Sequence, residues 1–288
     1  MYKVVTKRFL NDAKSICLFE IEAPLIARHA QAGQFVIFRL DEFGERTPVS
    51  VAGYDREKGT VTVMVQAAGR TTKMLHTVQQ GDYIHDVVGP LGRATEMEGL
   101  KKVCVVGGGV GCAIAYPIAK EMHERGIEVT FIGGFRSADI VILKDELKEV
   151  SDRLILCTDD GSYGEKGFTT VYLKQEIERN INEHLPQFDR VIAIGPDIMM
   201  KFLAEVTRPY GISTIISLDP IMVDGTGMCG GCRVIVGGET KFACVDGPDF
   251  DAHQVDFDSL IKRAAFYKDE QDEAAGHICN ITGGVRHG

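Results

Sequence analysis

Three cysteines and one aspartate, set at fixed intervals in a glycine-rich stretch, constrain this chain more than any other feature. Between Val223 and Gly247 the sequence reads VDGTGMCGGCRVIVGGETKFACVDG, so Asp224, Cys229, Cys232 and Cys244 follow the pattern D-x4-C-x2-C-x11-C. With cysteine in place of the aspartate, the first three positions have the plant-type [2Fe–2S] spacing. Gly225, Gly227, Gly230 and Gly231 lie between the candidate ligands. Glycine adopts φ > 0 without steric cost, so such a chain can wrap closely round a cluster and turn N–H groups toward sulfur. Zinc is the alternative, because a C-x2-C pair also opens zinc ribbons and three thiolates with one carboxylate close a tetrahedron. The four-residue first step and the glycine density favour iron–sulfur. Asp224, Cys229, Cys232 and Cys244 are therefore the expected metal ligands, with Cys279 as the rival for the fourth position.

The rest of the composition narrows the class. A chain of 288 residues, 44% hydrophobic and 25% charged, has room for about two domains and a substantial core. A formal net charge of −9 without a basic stripe argues against nucleic-acid binding. The start, MYKVVTKRFLND, has no apolar leader, and no apolar run is long enough to cross a bilayer, so a cytoplasmic location is expected. Eight cysteines without a secretion signal point to reduced thiols and metal ligands rather than disulfides. The acidic KDEQDEAAG near the end is expected to be a solvated surface.

Residues 1–98 read as a β domain. Short apolar alternations at Ile16–Ile21, Gln34–Leu40, Thr60–Gln66 and Tyr83–Val88 are separated by Gly- and Asp-rich turns. GPLG at Gly89–Gly92 and the polar stretch Arg93–Gly99 mark its end. Arg46-Thr47-Pro48-Val49-Ser50 leads from a polar loop into a strand, a setting that suits a flavin and its phosphates or a plain hairpin with a surface Arg. Gly69-Arg70-Thr71-Thr72 opens a helical stretch over Thr72–Thr77, where free N–H groups and hydroxyls favour a phosphate, or where threonine simply caps.

Residues 99–220 read as a doubly wound α/β domain. The apolar run Val103–Val106 leads into Gly107-Gly108-Gly109-Val110-Gly111 and then a helix over Cys112–Arg125, the strand–turn–helix that begins a nucleotide-binding sheet. Further strands are expected at Glu128–Ile132, Leu154–Cys157, Val191–Ile194 and Thr214–Leu218. Helices are expected at Asp139–Val150, Thr170–His184 and Asp197–Tyr210. Three turns follow strand ends, with Arg136, Asp159-Asp160 and Gly195-Pro196, where ligands bind such sheets. The acidic pair Asp159-Asp160 favours NAD(H) over NADP(H), and Arg136-Ser137 argues the other way. The scattered histidines His76, His85, His123 and His184 suggest no acid–base triad. The chain from 221 to 288 is the cluster subdomain and a tail, in which Ile278, Cys279 and Ile281 are better suited to a partner than to water.

Taken in order, the Arg46–Ser50 loop, Gly69–Thr72, GPLG, GGGVG, TDDGSYGEKG, GPDIMM and the cluster loop resemble the ferredoxin–NADP reductase superfamily. Within it the chain is similar to the iron–sulfur flavoprotein electron-transfer subunits of dihydroorotate dehydrogenase. With aspartate in the first cluster position, it is most similar to the small subunits of NADH-dependent reduced ferredoxin:NADP oxidoreductase, or sulfide dehydrogenase. The resemblance covers nearly the whole chain. It implies an antiparallel FAD-binding barrel, a doubly wound NAD(P)-binding domain and a [2Fe–2S] appendage. Thr47, Pro48, Val49 and Ser50 would line the isoalloxazine, with Ser50 near N5. Met64, Val65 and Gln66, with Gly69, Arg70, Thr71 and Thr72, would hold the ribityl and pyrophosphate parts. Gly107–Gly111, Gly195 and Pro196 would frame the nicotinamide nucleotide. Two positions depart from the family. Thr47 replaces an arginine, for which Arg46 can substitute, and Ile194 replaces a cysteine. The resemblance also implies electron bifurcation in complex with a larger, glutamate-synthase-small-subunit-like flavoprotein that carries iron–sulfur clusters, with ferredoxin reached through that complex. The alternatives are a dihydroorotate dehydrogenase electron-transfer subunit, and a non-catalytic redox sensor binding zinc and a nucleotide.

Overall fold

The computed structural model describes residues 1–266. Cys279 and the neighbouring tail residues lie outside the described residues, as does the KDEQDEAAG stretch.

The N-terminal third is one antiparallel sheet with two short helices. Its strands are β1 (Tyr2–Phe9), β2 (Ile16–Glu22), β3 (Phe35–Arg39), β4 (Thr47–Asp55), β5 (Thr60–Gln66), β6 (Tyr83–Ile84) and β7 (Asp86–Leu91), in the order β6-β1-β2-β5-β4-β3-β7. Register shifts interrupt the β1–β2, β3–β7 and β4–β5 ladders, and such bulges bend a sheet and increase its twist toward a barrel. In β5 the residues Val61, Val63 and Val65 recur every second position and point into a core with Phe19, Val36, Phe38 and Val51. Helix α1 (Pro24–His29) and helix α2 (Arg70–Leu75) bury Ile26 and Leu75 in that core. Strand β3 is buried on both faces. Val36 and Phe38 face the barrel core, whereas Phe35 and Ile37 face a second core shared with the C-terminal segment.

The second sheet is parallel apart from its last strand. It contains β8 (Lys102–Gly108), β9 (Glu128–Phe135), β10 (Arg153–Thr158), β11 (Glu165–Lys166), β12 (Arg190–Ile194) and β13 (Ser213–Ser217), with helices α3 (Gly111–Glu124), α4 (Lys144–Glu149), α5 (Thr169–Asn182) and α6 (Asp197–Thr207) between them. The order is β11-β10-β9-β8-β12-β13, so the winding direction reverses between β8 and β12. Every residue of β8 is buried, as a strand covered on both faces requires. Helix α3 also closes against the barrel: Ala52 and Met64 share a buried cluster with Cys112, Ala113 and Ile118.

A cluster segment follows, with hairpin β14 (Arg233–Val236) and β15 (Glu239–Phe242) and helix α7 (Ala243–Asp246). Strand β16 (Asp249–Asp251) then returns to the parallel sheet and pairs antiparallel with β13, and α8 (Phe257–Ala264) packs on α6.

Two expected helices are shorter than the apolar pattern suggests. In place of a helix over Asp139–Val150, a 3₁₀ turn at Ala138–Ile140 precedes Leu143, which stands at φ 54° before α4 begins. Ile142 and Leu143 are both carried into the core, and burying these adjacent side chains breaks the helical path. The expected Asp197–Tyr210 helix ends at Thr207 and tightens to a 3₁₀ turn over Arg208–Tyr210, because Pro209 has no N–H to continue it. Strand β7 runs through Pro90 to Leu91, inside the stretch expected to be a boundary loop.

Candidate functional site

The cluster loop is built from left-handed glycines. Gly225, Gly227 and Gly230 have φ of 76°, 80° and 68°. The Asp224 carboxylate folds the loop over itself, accepting the N–H of Thr226 at 2.9 Å and that of Cys229 at 2.6 Å. These N–H groups, that of Thr226 foremost, hold its pKa below the usual carboxylate range. Cys232 and Cys244 are buried with their sulfurs 3.2 Å apart. Burial, followed by the Cys232 thiol, pushes Cys244 up to about 12, so the Cys244 thiol keeps its proton until a metal cation displaces it. Cys229 is exposed, with the Gly231 N–H directed at its sulfur at 3.4 Å, and the Cys244 N–H lies 3.5 Å from the Cys232 sulfur. Among the described residues, no three His, Cys, Asp or Glu side chains are gathered as a metal-holding group. The structure joins Cys232 to Cys244, places Cys229 on the same loop, and turns the Asp224 carboxylate onto backbone N–H groups. Two buried free thiols hydrogen-bonded to each other, beside backbone donors aimed at sulfur, fit a thiolate-held cluster.

The loop lies against the barrel. A Cβ on Gly225 would stand 2.8 Å from both Ile37 Cδ1 and Leu91 Cδ1, so the loop backbone packs directly on these side chains of β3 and β7. Arg46, just before β4, donates from Nε to the Val223 carbonyl at 2.6 Å and from Nη2 to the Asp224 carbonyl at 3.4 Å. Thr47, Pro48, Val49 and Ser50 continue as half-buried residues of β4, paired with Phe38, Ile37, Val36 and Phe35. Met64 and Val65 are buried in β5, whereas Gln66 is exposed at its end. At the start of α2, Thr72 Oγ1 accepts from the N–H groups of Ala68 and Gly69, each at 3.0 Å, and Thr71 donates to the Glu45 carboxylate. Arg70 is exposed.

The Gly107–Gly111 turn and the turn after β12 meet where the sheet reverses direction. A Cβ on Gly111 would stand 2.3 Å from the Ile194 carbonyl oxygen, and one on Gly108 would stand 3.2 Å from Pro196 Cδ. Gly109, at φ 57°, donates its N–H to Gly134 O at 2.8 Å, and Val110 begins α3 as its N-cap. The β9 and β10 ends lie alongside: the Asp159 N–H donates to Phe135 O at 3.0 Å and the Asp160 N–H to Arg136 O at 3.4 Å. The Asp160 carboxylate caps its own turn, accepting the Ser162 hydroxyl at 2.6 Å and N–H at 2.9 Å, and the hydroxyl foremost lowers its pKa. Asp159 and Arg136 are exposed along the same edge.

Sequence reasoning missed two contacts that join these parts. The Thr95 hydroxyl, on the segment between the sheets, donates to Asp249 Oδ2 of β16 at 2.6 Å. Arg263, on α8, donates to Gly231 O at 3.1 Å. Each partner is far away in the chain, and neither has a local motif to mark it.

A curled antiparallel sheet followed by a parallel sheet with a glycine turn at its reversal is the fold of pyridine-nucleotide-dependent reductases. Phthalate dioxygenase reductase has it at a TM-score of 0.59 with 16% identity, over 82% of this chain and 85% of its own. Residues 219–256 match the iron-sulfur cluster binding domain of dihydroorotate dehydrogenase B. The dihydroorotate dehydrogenase B (NAD(+)) electron transfer subunit homolog of Thermotoga maritima is 47% identical over 259 residues, 90% of this chain and 89% of that protein. The chain belongs to the family of dihydroorotate dehydrogenase B electron transfer subunits and their homologues. The solved structure of an NADH-dependent reduced ferredoxin-NADP oxidoreductase, a protein described in terms of flavin-based electron bifurcation, matches at a TM-score of 0.86 and 44% identity, covering 96% of each chain.

Proposed function

We propose that this chain is the NAD(H)-linked, FAD- and [2Fe–2S]-bearing subunit of an electron-bifurcating ferredoxin:NADP oxidoreductase. The observation that carries the proposal is the close seating of the Gly225 backbone on Ile37 and Leu91, which brings the cysteine loop against β3, the strand paired through Ile37 and Pro48 with the expected flavin strand β4. When bound, the nicotinamide exchanges hydride, the flavin converts between two-electron and one-electron chemistry, and the cluster carries single electrons. The chain's own residues bind and orient. Thr47, Pro48, Val49 and Ser50 would present a half-buried strand edge to the flavin ring. Gln66, Gly69, Arg70, Thr71 and Thr72 would accept its ribityl and phosphate end, next to Met64 and Val65. Gly107, Gly108, Gly109, Val110 and Gly111, with Gly195 and Pro196, would leave backbone room for the nucleotide, and Asp159 would receive a ribose hydroxyl. Cys229, Cys232 and Cys244 would hold the cluster with Asp224, whose carboxylate must turn from the Cys229 N–H toward iron. The segments 1–98, 99–220 and 221–288 would correspond to these three tasks, and a larger glutamate-synthase-small-subunit-like flavoprotein would take the electrons.

The second reading, a dihydroorotate dehydrogenase electron-transfer subunit, is favoured by the matched cluster domain and opposed by aspartate at the first ligand position. Purification of the native complex, with flavin, iron and nucleotide-dependent reduction measured together, tests both. Flavin and [2Fe–2S] bands bleached by NADH, with a glutamate-synthase-like partner, support the first. A dihydroorotate-oxidising partner supports the second, and a colourless zinc protein refutes both.

A further inference from the structure

Three arginines hold the cluster loop by its backbone carbonyls. Arg233 Nη1 donates to Gly230 O at 3.2 Å, Arg263 Nη2 donates to Gly231 O at 3.1 Å, and Arg46 donates to the successive carbonyls of Val223 and Asp224. The first two belong to the C-terminal segment. Arg46 comes from the barrel, so its fork crosses from the sheet expected to bear the flavin to the loop expected to bear the cluster. A guanidinium bonded to two consecutive carbonyls fixes the tilt of the peptides as well as their distance, which a point charge cannot do. The same peptides carry the Asp224 side chain, which accepts the Cys229 N–H at 2.6 Å. A continuous path of hydrogen bonds thus runs from Arg46 through Asp224 to the exposed cysteine. Gly225 provides the matching stop on the other side, its backbone packed on Ile37 and Leu91.

We infer that Arg46 is a positioning residue that sets the placement of the cluster loop on the barrel, rather than a ligand to the flavin phosphates. The inference rests on the reading of the two regions as flavin and cluster sites. Its carbonyl contacts are made within this chain, so it can be tested apart from that reading. Arg46 Nε and Nη2 are both directed at loop carbonyls, so a flavin phosphate would have to draw the same N–H groups away from Val223 and Asp224.

The test compares wild type, Arg46→Met and Arg46→Lys as full-length protein in the native complex. Four quantities are measured: FAD per chain, iron per chain, the electron paramagnetic resonance signal of the dithionite-reduced protein, and amide exchange across residues 221–231. Arg46→Met is expected to keep wild-type FAD and iron. It should speed exchange in that stretch about tenfold, the effect of losing one charge-assisted hydrogen bond, and shift the resonance g-values. Arg46→Lys, which restores one donor but not the fork, should fall between the two. Loss of FAD from Arg46→Met with unchanged exchange would make Arg46 a flavin ligand and overturn the inference. Unchanged exchange and an unchanged resonance signal in both variants would overturn it as well. Should wild type itself carry neither FAD nor iron, the functional reading fails, and the exchange comparison on the same proteins still decides whether Arg46 holds the loop. If Arg46→Met does not fold, Arg46→Lys supplies the same comparison.

Discussion

Gly111→Ala tests whether the nucleotide turn is held by contact or by conformation. Gly111 is the first residue of α3 and is not among the glycines with positive φ, so its lack of a side chain matters for space alone. A Cβ there would stand 2.3 Å from the Ile194 carbonyl oxygen and 2.8 Å from its carbon. Carbon–oxygen contacts settle near about 3.3 Å, so α3 must retreat from β12 by about 1 Å. The obstructing atoms are backbone and have no rotamer to change. Cys112 and Ala113, the next residues of α3, are fully buried and would move with it. Overpacking of this kind costs about 1–3 kcal/mol, and the upper end applies where backbone must yield. Alanine recovers about 1 kcal/mol over glycine in a helix, which leaves a net loss of about 2 kcal/mol. Gly109 provides the control. It stands at φ 57°, and a Cβ added to it would meet nothing within 4 Å, so Gly109→Ala should cost about 1 kcal/mol of left-handed strain and leave α3 in place. Chemical denaturation of both variants, with NADH affinity measured in parallel, should place Gly111→Ala lower in midpoint and weaker in binding. If Gly111→Ala were as stable as wild type, or Gly109→Ala the worse of the two, the close approach of α3 to β12 would not be what this turn requires.

Three further outcomes are expected. Asp224→Ala should lose or destabilise the cluster, measured by iron content and electron paramagnetic resonance; Asp224→Cys should retain it with an altered signal, and an unchanged Asp224→Ala spectrum would remove Asp224 from the ligand set. Burial pushes the Asp249 carboxyl up to about 6 from 3.8, so the folded protein keeps a proton that the unfolded chain releases. Stability from this site is therefore complete below about pH 4 and falls by about 2–3 kcal/mol as the pH rises through 6. Denaturation of Asp249→Asn across pH 4–7 should lack that fall, and an unchanged pH profile would count against the buried carboxyl. NADH should reduce the bound flavin faster than NADPH, and steady-state reduction favouring NADPH would assign Arg136, not Asp159, the deciding contact.

The parts legible in the sequence are those in which local pattern and burial coincide. The alternating valines of β5 and the uninterrupted apolar run of β8 each follow from which faces are covered. The meeting of GGGVG with Gly195-Pro196 follows from strand alternation, because a right-handed parallel sheet brings those turns to one edge. Other features have no local signal. Strand β16 is Asp-Phe-Asp, a sequence with little strand propensity, and it is a strand because β13 offers it a ladder. The pattern over Asp139–Val150 overstates the helix, because apolar periodicity does not distinguish a helix from two residues diving into the core. Arg46 has the local setting of a phosphate ligand, while its contacts to Val223 and Asp224 lie far along the chain, where spacing gives no information. Asp224 stands at a ligand position by spacing, and the bonds of its carboxylate to the Thr226 and Cys229 N–H groups depend on turn geometry that glycine permits but does not announce.

Strand β16 makes the cysteine segment a cassette. Ser217 and Asp249 are ladder partners, and the Leu218 N–H donates to Pro248 O at 3.0 Å, so the chain leaves the sheet and re-enters it at adjoining points. Closing a long excursion costs entropy that grows only as the logarithm of its length, about 0.6 kcal/mol for each doubling. Lengthening, trimming or replacing what lies between Leu218 and Pro248 therefore leaves the hydrogen-bonded frame nearly indifferent. The restraint on exchange lies elsewhere, in Phe35 and Ile37, whose outward faces any substitute must cover, and in the bonds that Arg46, Arg263, Gln254 and Asp256 make to the segment. A redox module from another protein could be spliced at these two junctions if it presents an apolar underside to β3.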